Sequence, residues 1–214
     1  AMDWMHNEII TSCSESMELY FHQEVQQRLA DCFKNEKFKE FLNYETIIFN
    51  GEEIPSLYSQ LTDFKKELME YKYPVENFTH GNLTLENILY VPSQNRIVLI
   101  DPYEENIIDS RLADYSQLFQ SCKSKYELLN DSTYDINKNR IDVKLNWLHG
   151  TSHIGLEMFY GHLKKYLSGS VGPGHYKTIL LLEISQYIRM LPFKMAVDES
   201  KMILFYSLAS KLFS

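Results

Sequence analysis

Glycine and proline are scarce in this 214-residue chain, at eight and six residues. That scarcity excludes collagen-like and low-complexity chains and argues against a β-sandwich, whose many turns draw on both residues. Cysteine is nearly absent as well. The three thiols, Cys13, Cys32 and Cys122, are odd in number and contain no C-x-x-C pair. They fit reduced, structural thiols of a cytoplasmic protein better than a disulfide framework. No apolar run approaches the roughly 18 residues of a membrane span, and residues 1–20 lack a basic start followed by an apolar stretch. Neither a signal peptide nor a membrane partner is expected. Positive charge is in short supply too: 21 Lys and Arg stand against 29 Asp and Glu, a net charge of −8. This argues against non-specific binding to nucleic acid. A phosphate-handling site in such a chain would need local help, such as a metal ion.

What is present is globular: 44% hydrophobic and 14% aromatic residues in a length suited to one domain, or one with an appendage. Met17, Phe21, Val25, Leu29 and Phe33 recur at steps of four, and Leu57, Leu61, Phe64, Leu68 and Tyr71 at steps of four and three. Each series predicts an apolar helix face, so residues 1–75 are expected to be mainly helical. Between the two lies an extended stretch, Tyr44 to Phe49, ending in the turn signal Asn50-Gly51. Pro74 is expected to close the second helix. A helical period returns at Leu112, Tyr115, Leu118, Phe119 and Cys122 and again over 179–190, and the polar stretch 130–140 reads as an exposed loop. Ser168 to Gly174, the one glycine cluster, lacks the Lys-Ser/Thr of a P-loop and reads as a helix connector.

The clearest β signal carries the chemistry. Asn87-Ile-Leu-Tyr-Val91 and Arg96-Ile-Val-Leu-Ile-Asp101 flank Pro-Ser-Gln-Asn, which predicts a hairpin. If Val91 pairs with Arg96, Asn87 falls opposite Ile100, and Asn87 and Asp101 reach the same end of strands about 4.8 Å apart. An amide oxygen and a carboxylate so placed are hard ligands suited to Mg²⁺, which takes one or two protein oxygens and fills its shell with water and phosphate. The loop His80-Gly-Asn82 would hang over that end. Each residue also has a plainer role available: His80 as a buried histidine, Asn82 as a turn residue beside Gly81, Asn87 and Asp101 as strand-start and turn residues.

The run His80-Gly-Asn82-x-x-x-x-Asn87 followed by Ile100-Asp101 resembles the catalytic loop and metal-binding hairpin of aminoglycoside phosphotransferases, choline kinases and related small-molecule kinases of protein-kinase-like fold, whose usual form is H-G-D-x-x-x-x-N and then I-D. The resemblance covers roughly residues 78–120. It implies a mainly α fold with a small β-hairpin element, the large C-terminal lobe of that architecture, in which helical segments over 1–75 and 109–214 flank the motif 78–101. By the same resemblance Asn82 stands where the family has its catalytic Asp, Asn87 and Asp101 hold Mg²⁺, His80 braces the loop, and Asp114 caps a helix or braces the loop. ATP is the implied co-substrate and a hydroxyl of a sugar-like small molecule, amino alcohol or aminoglycoside the implied acceptor. Tyr103 and Glu105, just after the hairpin, are candidate acceptor contacts.

Two departures qualify the inheritance. Asn82 cannot take up a proton, and general-base catalysis is worth about 10²–10⁴-fold, so an impaired enzyme or a catalytically silent binding module is expected. The nucleotide-binding lobe, with its strand Lys and glycine-rich loop, has no counterpart in 1–75, which predicts a partner lobe in cis or in trans. Trp147, His149 and His153 fall on an expected helix over 141–166. The histidine spacing could serve zinc, but no third ligand of the H-E-x-x-H type follows, and packing or surface roles are expected.

Overall fold

The computed structural model describes residues 9–12, 15–70, 74–76, 78–144 and 150–214. Helix α1 (Glu15–Tyr20) runs through a π-helical stretch, Phe21–Gln27, into α2 (Arg28–Cys32). The sequence explains the wider turn. A four-residue repeat overshoots an α-helical turn by about 40° per step, so a strict stripe would spiral off the core side. The π stretch underwinds the helix, and Met17, Phe21, Val25 and Leu29 all stay buried. Phe33, beyond the helix, does not. Helix α3 (Glu36–Phe41) starts on Asn35, whose side chain accepts from Phe38 N at 2.9 Å.

The extended stretch at 44–49 is the first strand of a hairpin, β2 (Thr46–Phe49) with β3 (Glu52–Pro55). Asn50 and Gly51 both take positive φ, 51° and 83°, as a two-residue turn between right-twisted strands requires. Helix α4 (Leu61–Glu70) follows; it buries Phe64 and Leu68, while Tyr71 lies outside the described residues. Pro74 opens a strand, β4 (Pro74–Glu76), which pairs antiparallel with β1 (Ile9–Ser12). The first 75 residues are thus less helical than their apolar periodicity suggests.

The hairpin β5 (Ile88–Val91) and β6 (Arg96–Leu99) has the expected register, Val91 opposite Arg96 and Ile88 opposite Leu99. Then come α5 (Arg111–Cys122) and α6 (Tyr126–Asn130). The expected loop over 130–140 is instead mostly strand: β7 (Thr133–Asn137) and β8 (Arg140–Lys144) pair antiparallel, and β8 joins β2 in parallel, giving a four-stranded sheet of order β3-β2-β8-β7. The polar composition hid an alternating pattern whose inward residue, Ile141, is fully buried.

Helix α7 (Gly150–Ser170), α8 (Pro173–Arg189), α9 (Leu191–Val197) and α10 (Glu199–Phe213) complete the chain. The glycine-cluster connector shrinks to Val171-Gly172, since its flanks belong to α7 and α8. Helices α5 and α8 pack against each other at the centre, and α10 covers α8. The Tyr206 hydroxyl of α10 accepts from Tyr58 N at 2.8 Å and bonds Ser56 Oγ at 2.7 Å, fixing the chain between β3 and α4. The architecture is mixed α+β. Among the described residues no helix is long and apolar enough to cross a membrane.

Candidate functional site

The site is built on α5, a helix buried nearly all round. Its apolar residues face the core; three of its polar ones, Asp114, Gln117 and Ser121, hold one loop. Asp114 accepts from the backbone N–H of His80 at 3.0 Å and of Gly81 at 2.8 Å. One turn on, Gln117 accepts from Leu83 N at 2.6 Å and donates to Gly81 O at 2.7 Å. One further turn on, Ser121 Oγ accepts from Leu85 N at 3.0 Å. Positions 114, 117 and 121 share one helix face, so the loop 80–85 hangs from α5 by side chains that satisfy its buried backbone groups. Asp114 is therefore the loop brace, and the capping role falls to Ser110, which accepts from Leu112 N. Upstream, the buried Glu76 side chain takes both Arg111 N and Arg111 Nε, tying β4 to the start of α5.

The loop itself tolerates little change. Gly81 has φ +70°, and a Cβ there would lie 1.8 Å from Asn106 Nδ2 and 2.6 Å from Tyr103 O. Tyr103 N in turn donates to His80 O at 2.8 Å, so 80–81 and 103–106 lie against each other. His80 is buried, and its Nδ1 accepts from Asn82 N at 3.3 Å. Its ring is thus bonded within the loop that carries it.

Asn82, Asn87 and Asp101 meet at one end of the hairpin. Ile100 N donates to Asn87 O at 3.0 Å, which sets Asn87 beside the strand leading into Asp101. Asn87 Nδ2 donates to Asn82 O at 2.7 Å, which leaves its amide oxygen as the side chain's remaining acceptor. Asn82 Nδ2 donates to Asp101 Oδ2 at 3.1 Å. Asp101 sits at φ +55°, a left-handed conformation that Asp tolerates and that clusters at functional sites. One carboxylate, Asp101, and one amide oxygen, that of Asn87, are hard-oxygen donors of the kind that suits Mg²⁺. Among the described residues no three His, Cys, Asp or Glu side chains gather into a metal cage. His153 lies on α7 with its Nε2 3.9 Å from Glu157 Oε1; Cys13, Trp147 and His149 lie outside the described residues. Cys32 and Cys122 are buried, and burial pushes both thiols up to about 12.

Beside Asn82 opens a pocket of about 220 Å³, walled by Tyr103, Tyr126 and Phe193 and by Gln186 and Arg189 of α8. Of the two candidate acceptor contacts Tyr103 lines this pocket, whereas Glu105 faces a smaller neighbouring crevice with Glu24 and Asn106. Burial, reinforced by the Glu86 and Glu127 carboxylates, holds the Tyr126 phenol above its ordinary value. Lys194, 3.3 Å from that hydroxyl, is pushed down by burial and by Lys201. Sequence reasoning does not single out Gln117, Ser121 or Arg189. The first two have a signal there: polar residues at the 114, 117 and 121 spacing on an otherwise buried helix.

The chain is similar to the EKC/KEOPS complex subunit bud32 of Dictyostelium discoideum, 27% identical over 139 residues that span 55% of each chain. It thus spans about half the length of the curated relative it matches. The similarity supports a protein-kinase-like fold and, more coarsely, a kinase-like or pseudokinase module; it does not extend to the aminoglycoside phosphotransferase family in particular. No family profile matches the chain. No solved structure matches it either.

Proposed function

We propose that this chain is the catalytic-loop lobe of a kinase-type phosphotransferase that moves the γ-phosphate of ATP to the hydroxyl of a small molecule, slowly, because residue 82 is an amide. The observation that carries this reading is the convergence of Asn82, Asn87 and Asp101 on one end of the β5–β6 hairpin, with the loop held by Asp114. Asn87 and Asp101 would hold Mg²⁺, which when bound neutralises and orients the β- and γ-phosphates. The acceptor hydroxyl attacks phosphorus as the bond to the β-phosphate oxygen breaks and ADP leaves. Asn82 can orient that hydroxyl by hydrogen bonding but cannot take its proton, which passes to water. Phosphoryl transfer rests mainly on positioning and charge stabilisation, so activity does not require a base of full strength.

The ATP-holding lobe, in cis or in trans, would seat on the hairpin, whose Leu89, Tyr90 and Ile97 are 45%, 60% and 52% exposed.

A second reading, a catalytically silent binding or scaffolding module, is favoured by the Asn82–Asp101 hydrogen bond, which occupies one of the metal-facing oxygens with the protein's own donor. The relative's designation as a complex subunit points the same way. The deciding experiment measures Mg²⁺·ATP binding to the natural full-length protein, then ATP consumption by it and by Asn82→Asp over sugars, amino alcohols and hydroxy acids. The enzyme reading expects binding in both and turnover raised by about 10²-fold or more in the variant. No binding and no turnover in either leaves the module reading.

A further inference from the structure

The pocket beside Asn82 has a charge pattern that narrows its ligand. Arg189, the last residue of α8, is 20% exposed at its side chain, and its Nε lies 3.3 Å from Glu24 Oε2. Glu24 is carried by the π-helical stretch. The guanidinium carbon of Arg189 stands 5.0 Å from the centre of the Tyr103 ring. The ion pair is made through Nε and the guanidinium carbon lies over the Tyr103 ring, which leaves the fork of Nη donors for a ligand. Gln186, one turn earlier on α8, lines the same pocket.

Two aromatic faces of the pocket already carry cations of the protein. Arg189 covers Tyr103, and Lys194 lies 5.0 Å from the centre of the Tyr126 ring and 4.6 Å from that of Phe205. A quaternary ammonium or an aminoglycoside needs open aromatic faces or carboxylates. Here it would find the Tyr103 and Tyr126 faces shared with like charge, and Phe193 is the other aromatic of the wall. Among the described residues the one acidic side chain in the wall is Glu86, which is exposed and accepts from Thr84 Oγ1 at 3.4 Å, while Glu24 and Glu105 line the smaller crevice that Arg189 and Gln186 also border. An anion, by contrast, meets a guanidinium held in place from two sides, the arrangement that favours forked pairing with carboxylate or phosphate.

We propose that this pocket binds an acceptor bearing both a hydroxyl and an anionic group, a hydroxy acid or a hydroxyalkyl phosphate, with the anion on Arg189 and the hydroxyl toward Asn82. This assignment rests on the phosphotransfer reading for its word acceptor, but the binding it describes needs neither nucleotide nor metal. Glu24 is then a positioning residue for Arg189.

The test is calorimetric titration of the full chain, free of nucleotide and Mg²⁺, with glycerol 3-phosphate and glycerate, against glycerol and choline. Saturable binding of at least one anion is expected, with none for glycerol or choline. Arg189→Met should weaken the anion at least about tenfold, and Arg189→Lys, which keeps the charge without the fork, should fall between. Because loss of the Glu24 pair could unfold the Met variant, the Arg189 Nε–Hε NMR signal of the unaltered protein is followed as well and should shift with the anions alone. Choline binding more tightly than either anion, or anion binding that neither moves this signal nor weakens in a folded Arg189→Met, overturns the proposal. Mg²⁺·ATP binding, measured separately, distinguishes the two levels: its presence without anion binding sinks this inference alone, and its absence beside Arg189-dependent anion binding sinks the phosphotransfer reading alone.

Discussion

Asn82 Nδ2 donates to Asp101 Oδ2 across 3.1 Å. A carboxylate in place of that amide would lack the donor and face Asp101 with like charge, so the bond exists only because residue 82 is Asn. It holds the left-handed Asp101, φ +55°, against the loop 80–85.

Asn82→Asp sets two carboxylates side by side, which lowers stability without a cation and raises affinity for one. The melting temperature of the variant should fall below that of the unaltered protein in chelator and recover on adding Mg²⁺, by more than the unaltered protein gains under the same addition. Equal Mg²⁺ shifts in the two proteins would show that 82 and 101 do not share a cation site.

Gly81→Ala meets two obstacles of different kinds. A left-handed residue with a Cβ costs about 1–2 kcal/mol, and that Cβ would lie 1.8 Å from Asn106 Nδ2 and 2.6 Å from Tyr103 O. Asn106 is a side chain that can turn away; the Tyr103 oxygen is backbone. Chemical denaturation should therefore show a loss above the conformational term alone, and adding Asn106→Ala should restore only a fraction of it. Full restoration would mean that the 103–106 segment yields freely.

Asp114 is the residue on which the loop depends most. Removing its carboxylate leaves the N–H groups of His80 and Gly81 without an acceptor inside the protein, at about 1–3 kcal/mol each. Asp114→Ala should lower stability by several kcal/mol or melt the loop locally, and hydrogen exchange at 80–81 should quicken beyond that of the α5 and α8 core. Asp114→Asn, which keeps one acceptor oxygen, should lose less. Unchanged exchange at 80–81 in Asp114→Ala would mean that other groups hold the loop.

How far the sequence carried depended on whether local chemistry or distant packing set the structure. The β5–β6 register was legible because a four-residue turn and two aliphatic runs leave one pairing, and it placed Asn87 and Asp101 together. The Asp114 brace was half legible: the family resemblance marked the residue, yet the choice between cap and brace turned on Ser110, whose side chain caps the helix through Leu112 N. Strands β7 and β8 were missed because their outward residues are polar and their inward ones few; β2, some 90 residues away, is what makes them a sheet. The π-helical stretch followed from a four-residue repeat whose geometric strain the periodicity alone did not expose. Arg189 could not be found at all, since Tyr103 and Glu24 reach it only through the fold.

Glu183 sets a pH dependence. Its buried carboxyl on α8 is raised above the ordinary range by burial, against the opposing pull of Lys123 Nζ at 2.7 Å and the Ser124 hydroxyl. A carboxyl raised on folding binds more protons in the native state than in the unfolded one. Stability from this group is thus greatest below the unfolded pKa, near 4.5, and declines as pH rises from there through the folded value. Glu183→Gln removes the titration while keeping an acceptor for Lys123 and Ser124. Denaturation free energies measured for both proteins between pH 4 and 7 should converge or cross as pH rises, the unaltered protein losing ground to the variant. A gap that widens in favour of the unaltered protein instead would mean that Lys123 outweighs burial and that the ion pair is a net stabiliser of the α5–α8 contact.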